Sequence, residues 1–458
     1  MEGLSIGEIA SVCGGILKHS GKSFSVRGIS TDSRKVNKGD MFIALKGESF
    51  DGHDYIDKAI ECGAALVVSQ KPLERAGVPY ILVKDTLKAL QDIARYYKKR
   101  FTIPFIAVTG SSGKTTTKDM IAAVLSRKYK VLKTEGNLNN AIGLPLTLMK
   151  LDYSHEIAVV EMGMNSFGEI RLLSDIVRPD IGVISNVGTA HIEKLGSREN
   201  ILKAKLELFA YFGGKNTAII NGDNDLLKGF ASGRFRVIKF GLDKLNDIYA
   251  YDIVEKGEEG IDFTVDFGGK PEWFSVALPG MHNVYNALSA ISVAGLFDMS
   301  AEEIRNGLME FKPSKMRMDI LNLKSGMKVI NDVYNANPDS MVAAINVLLS
   351  MKSGTRRVCI LGDMLELGDV SAEEHRKVGK FAAESGIDVI AAVGNFSGDI
   401  ARGAAEGGMD NRNIHKFYTK EEAIASLSEI LKPEDVVLVK GSRAMKMEII
   451  IDFLRERG

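Results

Sequence analysis

Residues 105–120 read FIAVTGSSGKTTTKDM. The unbroken run Phe105 to Thr109 predicts a buried strand; Gly110, Ser111, Ser112, Gly113, Lys114 and Thr115 follow, then a helical pattern. A strand that turns through glycines into a helix aims backbone N–H groups and the positive helix end at an anion. Lys114 is placed to neutralise the β/γ-phosphates and Thr115 to offer its hydroxyl to Mg²⁺, with Thr116 beside them in the first turn. The longer consensus has glycine where this chain has Val108, so the motif is the shortened Gly-x-x-Gly-Lys-Ser/Thr form. ATP is the expected ligand; a Gly/Ser turn that happens to precede Lys-Thr is the plainer alternative.

Outward from this loop, EIAVVEMG (156–163), IGVISNV (181–187) and TAIING (217–222) are further short apolar runs separated by helical or polar sequence. Such runs point to strands covered on both faces, hence a parallel sheet. Residues 234–278 alternate and carry Gly-rich turns, which predicts antiparallel hairpins appended to that sheet. A second α/β series, KVINDVY, RRVCILGDM, DVIAAVG and DVVLVKG, begins near residue 314, after a hinge at PSKMRMD where Pro313 resists helix continuation. The first hundred residues form a mixed unit closed by a linking helix in KDTLKALQDIARYYKKRF. The expectation is an α/β protein of three domains, 1–100, 101–313 and 314–458: a central P-loop-type parallel sheet with appended hairpins, and a C-terminal doubly wound α/β domain.

At 458 residues with 45% hydrophobic content, the chain has material for more than one core. Lys plus Arg total 59 and so do Asp plus Glu, so a broad basic surface for nucleic acid is not expected and an anion must be held by local groups. The start, MEGLSIGEIASVCGG, has Glu2 and Glu8 in place of a basic n-region, and no apolar stretch reaches spanning length, so an unexported protein with no membrane association is expected. Cys13, Cys62 and Cys359 form neither a metal spacing nor an even disulfide framework, which suits a reducing cytoplasm.

Ligands of a parallel-sheet site fall at the carboxyl ends of strands. Glu161, closing EIAVVEMG, and His191, just past IGVISNVGTA, fall there, although an ordinary strand-end carboxylate and a surface histidine would read alike. A helix predicted at about 198–212, RENILKAKLELFAYF, puts Ile201, Leu202, Leu208, Phe209 and Phe212 on one stripe with Lys205 at its centre, and Lys203 with Glu207 on the opposite, solvated face. An ammonium in that slot is costly unless paired or neutralised. Either Lys205 meets a carboxylate or snorkels, or burial leaves it a neutral amine able to take up carbon dioxide as a carbamate, an anion that can hold Mg²⁺.

With these residues in view, the chain resembles the Mur ligases, the ATP-dependent amide-forming enzymes of bacterial peptidoglycan synthesis. The resemblance rests on TGSSGKTT (109–116), TEGNLNNAIGLP (134–145), EMGMNSFGEI (161–170), SNVGTAHIEKLGS (185–197), KAKLELF (203–209), LPGMHNVYNALSA (278–290), NDVYNANPDSM (331–341), GDMLELG (362–368) and VKGSRAMKME (439–448). These stretches look most like the family member that joins D-alanyl-D-alanine to UDP-N-acetylmuramoyl-tripeptide through an acyl phosphate. Sister ligases adding a single amino or diamino acid, a folylpolyglutamate-type synthetase, and a P-loop ATPase without ligation chemistry stand as alternatives.

The resemblance implies two Mg²⁺ ions, Glu161 on the first and His191 with carbamylated Lys205 on the second. It implies nucleotide contacts from Asn283, the expected adenine partner, and from His282 and Asn286, for which polar capping of the helix starting there is the rival reading. Arg317 would reach ATP from beyond the hinge on domain closure, Asp332 would lie near the ribose, and Tyr334, Asn335 and Asn337 would line the same region. Lys440, Ser442 and Arg443 would lie near the incoming dipeptide or phosphates. In the first domain Ser30, Thr31, Asp32, Ser33 and Arg34, with Asp51, Gly52 and His53, would hold the UDP end, and Gly136, Asn137, Asn139 and Asn140 the muramoyl-peptide; locally, both triplets DSR and DGH read as turns. Small-molecule substrates and a monomer complete the expectation.

Overall fold

The computed structural model describes residues 2–19, 21, 23–74, 77–351 and 356–457. The chain divides into two compact units, one of residues 1–108, 129–182 and 207–216, the other of residues 109–128, 183–206 and 217–458.

In the first unit, a five-stranded sheet runs in the order Ile16–Lys18, Tyr80–Leu82, Leu66–Ser69, Met41–Ile43, Ile29–Ser30. All its pairs are parallel except the first, which is antiparallel. Val36, Phe42, Ala44, Ile56, Ala59, Val67 and Tyr80 make a core on this sheet. The helix Thr86–Lys98 starts where Asp85 accepts the Lys88 N–H, and it buries Ala89, Leu90, Ile93, Ala94 and Tyr97 at helical spacing. Its Tyr97 hydroxyl donates to Leu151 O at 2.6 Å, which fastens the predicted linking helix to the following sheet layer. There Ile157–Glu161 lies between Phe105–Thr109 and Val131–Lys133, parallel to both. Every residue of the first two strands is buried, as continuous apolar runs require.

In the second unit, Thr217–Asn221 pairs in parallel with Arg236–Gly241, which pairs in parallel with the start of Ile248–Glu255. Only from there are the pairings antiparallel, through Ile261–Phe267 and Lys270–Val276. The predicted hairpin region therefore begins later than residue 234. The connection over 222–235 has the dozen or more residues that a parallel return requires, so Arg236–Gly241 extends the parallel series instead of opening a hairpin.

A six-stranded sheet follows in the order Asp319–Asn322, Lys328–Asp332, Val436–Lys440, Arg357–Gly362, Val389–Val393, Ile414–Phe417. Only its first pair is antiparallel. One core sets Met341, Ile345 and Leu348 of helix Pro338–Ser350 with Val378 and Ala382 of helix Ser371–Glu384 against strand residues such as Ile330, Cys359 and Leu438. The other sets Ala423, Leu427, Ile450 and Leu454 against Val329, Ile360, Val437 and Val439. Successive strand residues fall in opposite cores, so helices cover both faces, the doubly wound arrangement.

Candidate active site

Strand Phe105–Thr109 delivers the chain into the loop, and helix Lys114–Leu125 begins directly after Gly113, whose φ of 75° is a left-handed value suited to glycine. The loop is held tightly from residues 185–188. Asn186 Oδ1 accepts the N–H groups of Ser111 and Ser112 at 3.0 and 2.9 Å, and its Nδ2 donates to Ser112 Oγ at 2.6 Å. Ser185 Oγ donates to Ser112 O at 2.7 Å, and Gly188 N–H to Ser111 Oγ at 2.9 Å. A side chain at Gly110 would place Cβ 1.9 Å from Ser185 Oγ, so the approach requires glycine. Lys114 Nζ donates to Gly110 O at 2.9 Å, arching over the turn.

From helix His282–Ala294, Asn286 Oδ1 accepts from Thr117 Oγ1 at 2.9 Å, and Asn286 Nδ2 donates to Asn283 Oδ1 at 3.0 Å. Asn283 Nδ2 in turn donates to Pro279 O at 2.8 Å. The two asparagines thus form a buried chain from the helix entry to the phosphate loop's helix. Burial pushes the His282 imidazole down to about 4, with Asp332 acting in the opposite direction.

Lys205 is 1% exposed, and burial, reinforced by the charge of Lys114, holds its amine well below the usual lysine value. Ile201 and Ala204 are buried with it and Lys203 is exposed. The α-helix is shorter than predicted, Arg198–Leu206, and continues as a 3-10 turn, Glu207–Phe209. Glu207 is half-buried, and its carboxylate accepts the Gly168 N–H at 2.9 Å and the Arg171 N–H at 3.1 Å, at the start of helix Glu169–Val177.

His191 opens the short helix Ile192–Leu195 with φ 66°, and its Nδ1 lies 2.6 Å from Glu366 Oε2. That is ion-pair distance, off the line of a well-formed hydrogen bond. The close contact with the His191 ring holds the Glu366 carboxyl below the ordinary glutamate value, against the opposing effect of burial, and the charges of Lys194 and Lys114 act in the same direction as the contact. Lys114, Lys205, His191 and Glu366 thus occupy one neighbourhood.

A second cluster lies in residues 314–443. The Arg317 guanidinium stacks 3.9 Å from the centre of the Tyr334 ring. Lys440 Nζ pairs with Asp332 Oδ2 and donates to Asn335 O at 2.9 Å. Asn337 Oδ1 caps helix Pro338–Ser350 through the Ser340 N–H at 2.9 Å. Ser442 Oγ accepts the Leu365 N–H at 2.9 Å, and Arg443 pairs with Glu448 at 3.0 Å. Ser314 Oγ donates to Asp119 Oδ2 at 2.8 Å, which fastens this stretch to the helix of the phosphate loop.

In the other unit, Glu161 is 2% exposed at the end of its strand, and its Oε1 accepts from Asn139 Nδ2 at 2.7 Å. Asn140 Oδ1 accepts the Gly143 N–H at 2.8 Å, at the start of helix Gly143–Leu148, while Asn137 is exposed. Both N-terminal triplets are side-chain-capped turns, as their local reading implies. Asp32 accepts the Arg34 N–H at 3.0 Å and pairs with the Arg34 side chain, which lowers its carboxyl to about 2; Ser30 Oγ donates to Asp32 O at 2.8 Å. Thr31 is half-buried and Ser33 buried beside them. Asp51 accepts the His53 N–H at 3.0 Å and pairs with Lys71 at 2.8 Å, while His53 Nδ1 lies 2.5 Å from Asp51 Oδ1 and its Nε2 accepts the Gln70 N–H at 3.0 Å. Both His53 nitrogens are therefore engaged, Nδ1 within the turn and Nε2 by the Gln70 backbone.

The residues missing from the sequence reading are Ser185, Asn186 and Gly188, which fasten the phosphate loop, and Glu366. All four stand in stretches that carry the family resemblance, SNVGTAHIEKLGS and GDMLELG, but the letters alone assign them no partner.

The chain matches the family models for the Mur ligase family catalytic domain over residues 25–98, the Mur ligase middle domain over 108–294 and the Mur ligase glutamate ligase domain over 316–443. It belongs to the Mur ligase family. Among curated members it is 41% identical to the UDP-N-acetylmuramoyl-tripeptide–D-alanyl-D-alanine ligase of Bacillus subtilis, covering 94% of this chain and 93% of the relative. It is 34% identical to the ligase of the same name from Escherichia coli, covering 100% of both. Among solved Mur ligase structures, MurF from Acinetobacter baumannii superposes with a TM-score of 0.91 at 33% identity, covering 100% of this chain and 99% of the other. MurF ligase from Thermotoga maritima in complex with ADP gives 0.83 at 28% identity, covering 94% and 97%.

Proposed function

We propose that this Mur ligase joins D-alanyl-D-alanine to the terminal carboxylate of UDP-N-acetylmuramoyl-tripeptide, converting ATP to ADP and phosphate. The observation that carries the reading is the phosphate loop, built on a chain similar over nine-tenths or more of its length to curated ligases of that name. The three stretches 1–100, 101–313 and 314–458 would grip the UDP end, hold ATP and bring the dipeptide.

A carboxylate has no leaving group that an amine can displace. Its oxygen attacks the γ-phosphorus, the bond to the bridging oxygen breaks and ADP leaves. The dipeptide amine then attacks the acyl carbon, loses a proton and expels phosphate from the tetrahedral intermediate. Several negative charges must be brought together, so the protein's work is neutralisation and alignment. Lys114 and the helix start at Lys114–Thr116, with Gly110–Gly113, serve the triphosphate. Arg317, whose planar guanidinium is held in place by its stack on Tyr334, closes over the nucleotide, and Asp332, held by Lys440, faces the ribose. Asn283 and Asn286 support the loop and the adenine end.

The donors suit Mg²⁺ in chemical type: in one unit the Thr115 hydroxyl, the His191 imidazole and a Lys205 amine whose burial disfavours an ammonium, and in the other the buried Glu161 carboxylate. In this reading Glu161 ligates one ion and His191 with carbamylated Lys205 the other. Bound there, magnesium would supply positive charge to phosphoryl oxygens. Ser30, Thr31, Asp32, Ser33, Arg34, Asp51 and His53 form the turns that shape the uridine end, and Asn137, Asn139, Asn140, Asn335 and Asn337 the peptide path. No helix among the described residues is long and apolar enough to cross a membrane; the reading is of a cytoplasmic monomer working on small molecules.

Phosphate release tests this. It should require the UDP-muramoyl-tripeptide and D-alanyl-D-alanine together, and single amino acids should not replace the dipeptide. Steady ATP hydrolysis without an acceptor would favour a simple ATPase.

A further inference from the structure

His191 and Glu366 are both non-glycine residues in the left-handed region, at φ 66° and 65°, and their side chains meet at 2.6 Å. Left-handed backbone at a bulky residue costs on the order of 1–3 kcal/mol and persists only where its surroundings enforce it. Two such residues facing each other need a cause.

The surroundings of Glu366 are unusually determined. Each preceding residue of GDMLELG is fixed by a different part of the six-stranded lobe. Asp363 accepts the N–H groups of Asn395 and Phe396 at 2.9 and 3.0 Å. Met364 N–H donates to His375 Nε2 at 2.8 Å, and the His375 Nδ1 side is turned to Ser371 O at 2.6 Å, with the ring stacked on Phe396. Leu365 N–H donates to Ser442 Oγ. Leu367 is buried. Leu365 and Glu366 are the exposed side chains of this stretch, and the Glu366 backbone carbonyl accepts the Glu193 N–H at 3.3 Å. At Gly368, with φ 58°, a Cβ would lie 3.1–3.3 Å from Glu193.

The geometry points to Glu366 as a positioning residue for His191: its carboxylate, at ion-pair distance from Nδ1, holds the ring's orientation and leaves Nε2 as the ligand atom for a divalent cation. A carboxylate on the far nitrogen is the usual support of a metal-bound imidazole. Because Glu366 is carried by the 363–368 loop, His191 takes its working orientation only when that loop is seated against residues 191–193. This inference rests on the reading of His191 as a metal ligand.

The test uses the full-length protein with ADP and Mn²⁺, with free Mn²⁺ counted by its paramagnetic resonance signal, beside the Mg²⁺ dependence of ligation. Glu366→Ala and Glu366→Gly should each weaken one Mn²⁺ site, and raise the Mg²⁺ needed for half-maximal ligation, by about 10–100-fold. The KM for D-alanyl-D-alanine should stay within about threefold, as expected for binding remote from the metal. The glycine variant suits the left-handed backbone, so its melting temperature should not fall. Glu366→Gln, which keeps an acceptor, should lie between these variants and the parent. His191→Ala, measured in parallel, should abolish that site. If it does and the Glu366 variants bind Mn²⁺ like the parent, the positioning role is overturned. If His191→Ala itself retains every Mn²⁺ site, the reading of His191 as a ligand fails and takes this role with it.

Discussion

Asp332 and Lys440 are direct partners on adjacent parallel strands, and their side chains form an ion pair only 12% and 3% exposed. Neither charge has water to return to. Removing one member should therefore cost more than the pair contributes. Lys440→Met is expected to destabilise the protein by about 3–5 kcal/mol, and Lys440→Met with Asp332→Asn by clearly less. Urea titration of both variants measures this coupling, and additive losses would rule it out.

Beside this pair lies His282, lowered by burial to about 4 from its ordinary 6.5, with Asp332 opposing the shift and Lys440 reinforcing it. Between those values the unfolded chain binds the proton and the folded one does not. Stability should therefore be fully present above about pH 6.5 and fall as pH drops toward 4, by about 3 kcal/mol at most from this group. His282→Gln should flatten that part of the stability profile. Urea midpoints at pH 4.5, 5.5 and 7.5 make the comparison.

Lys205 separates folding from function. Lys205→Met keeps the volume and removes the amine from an apolar slot, so the fold should be as stable or more so. Ligation should drop by more than about a thousandfold if a metal-holding anion is lost. In Lys205→Ala, a short carboxylate such as acetate should restore part of the activity. Full activity of the alanine variant without additive would remove the carbamate.

Asn186 holds the phosphate loop through three hydrogen bonds from its side chain. Asn186→Ala leaves the Ser111 and Ser112 N–H groups without that acceptor and the loop less well formed. It should lower kcat/KM for ATP by about 10–100-fold, the range expected when a site's geometry loosens, with little change in the KM for D-alanyl-D-alanine. Steady-state kinetics varying each substrate in turn decide it.

The phosphate loop was legible because its information is local: an apolar run, glycines where the turn needs them, and a helix. Lys205 was legible for a related reason, since Ile201 and Ala204 are buried with it on the helix, although the α-helix ends at Leu206, earlier than the periodicity predicts. The hold of Asn186 on Ser111, across 75 residues, leaves no periodic trace. Nor does the meeting of His191 with Glu366. Both depend on which loops the sheets bring together, and a single asparagine or glutamate carries no pattern. Asn140 and Asn337 show the converse limit: side chains proposed for ligand contact also cap helices, and local sequence does not separate the two uses.

The central claim is that the nucleotide energises the substrate's carboxylate. Supplying the UDP-muramoyl-tripeptide with ¹⁸O in its terminal carboxylate, with ATP and D-alanyl-D-alanine, and analysing the released phosphate by mass spectrometry tests it most directly. The account predicts one ¹⁸O atom in each phosphate formed, carried over through the acyl phosphate. Phosphate released without label, while ligated product accumulates, would contradict it.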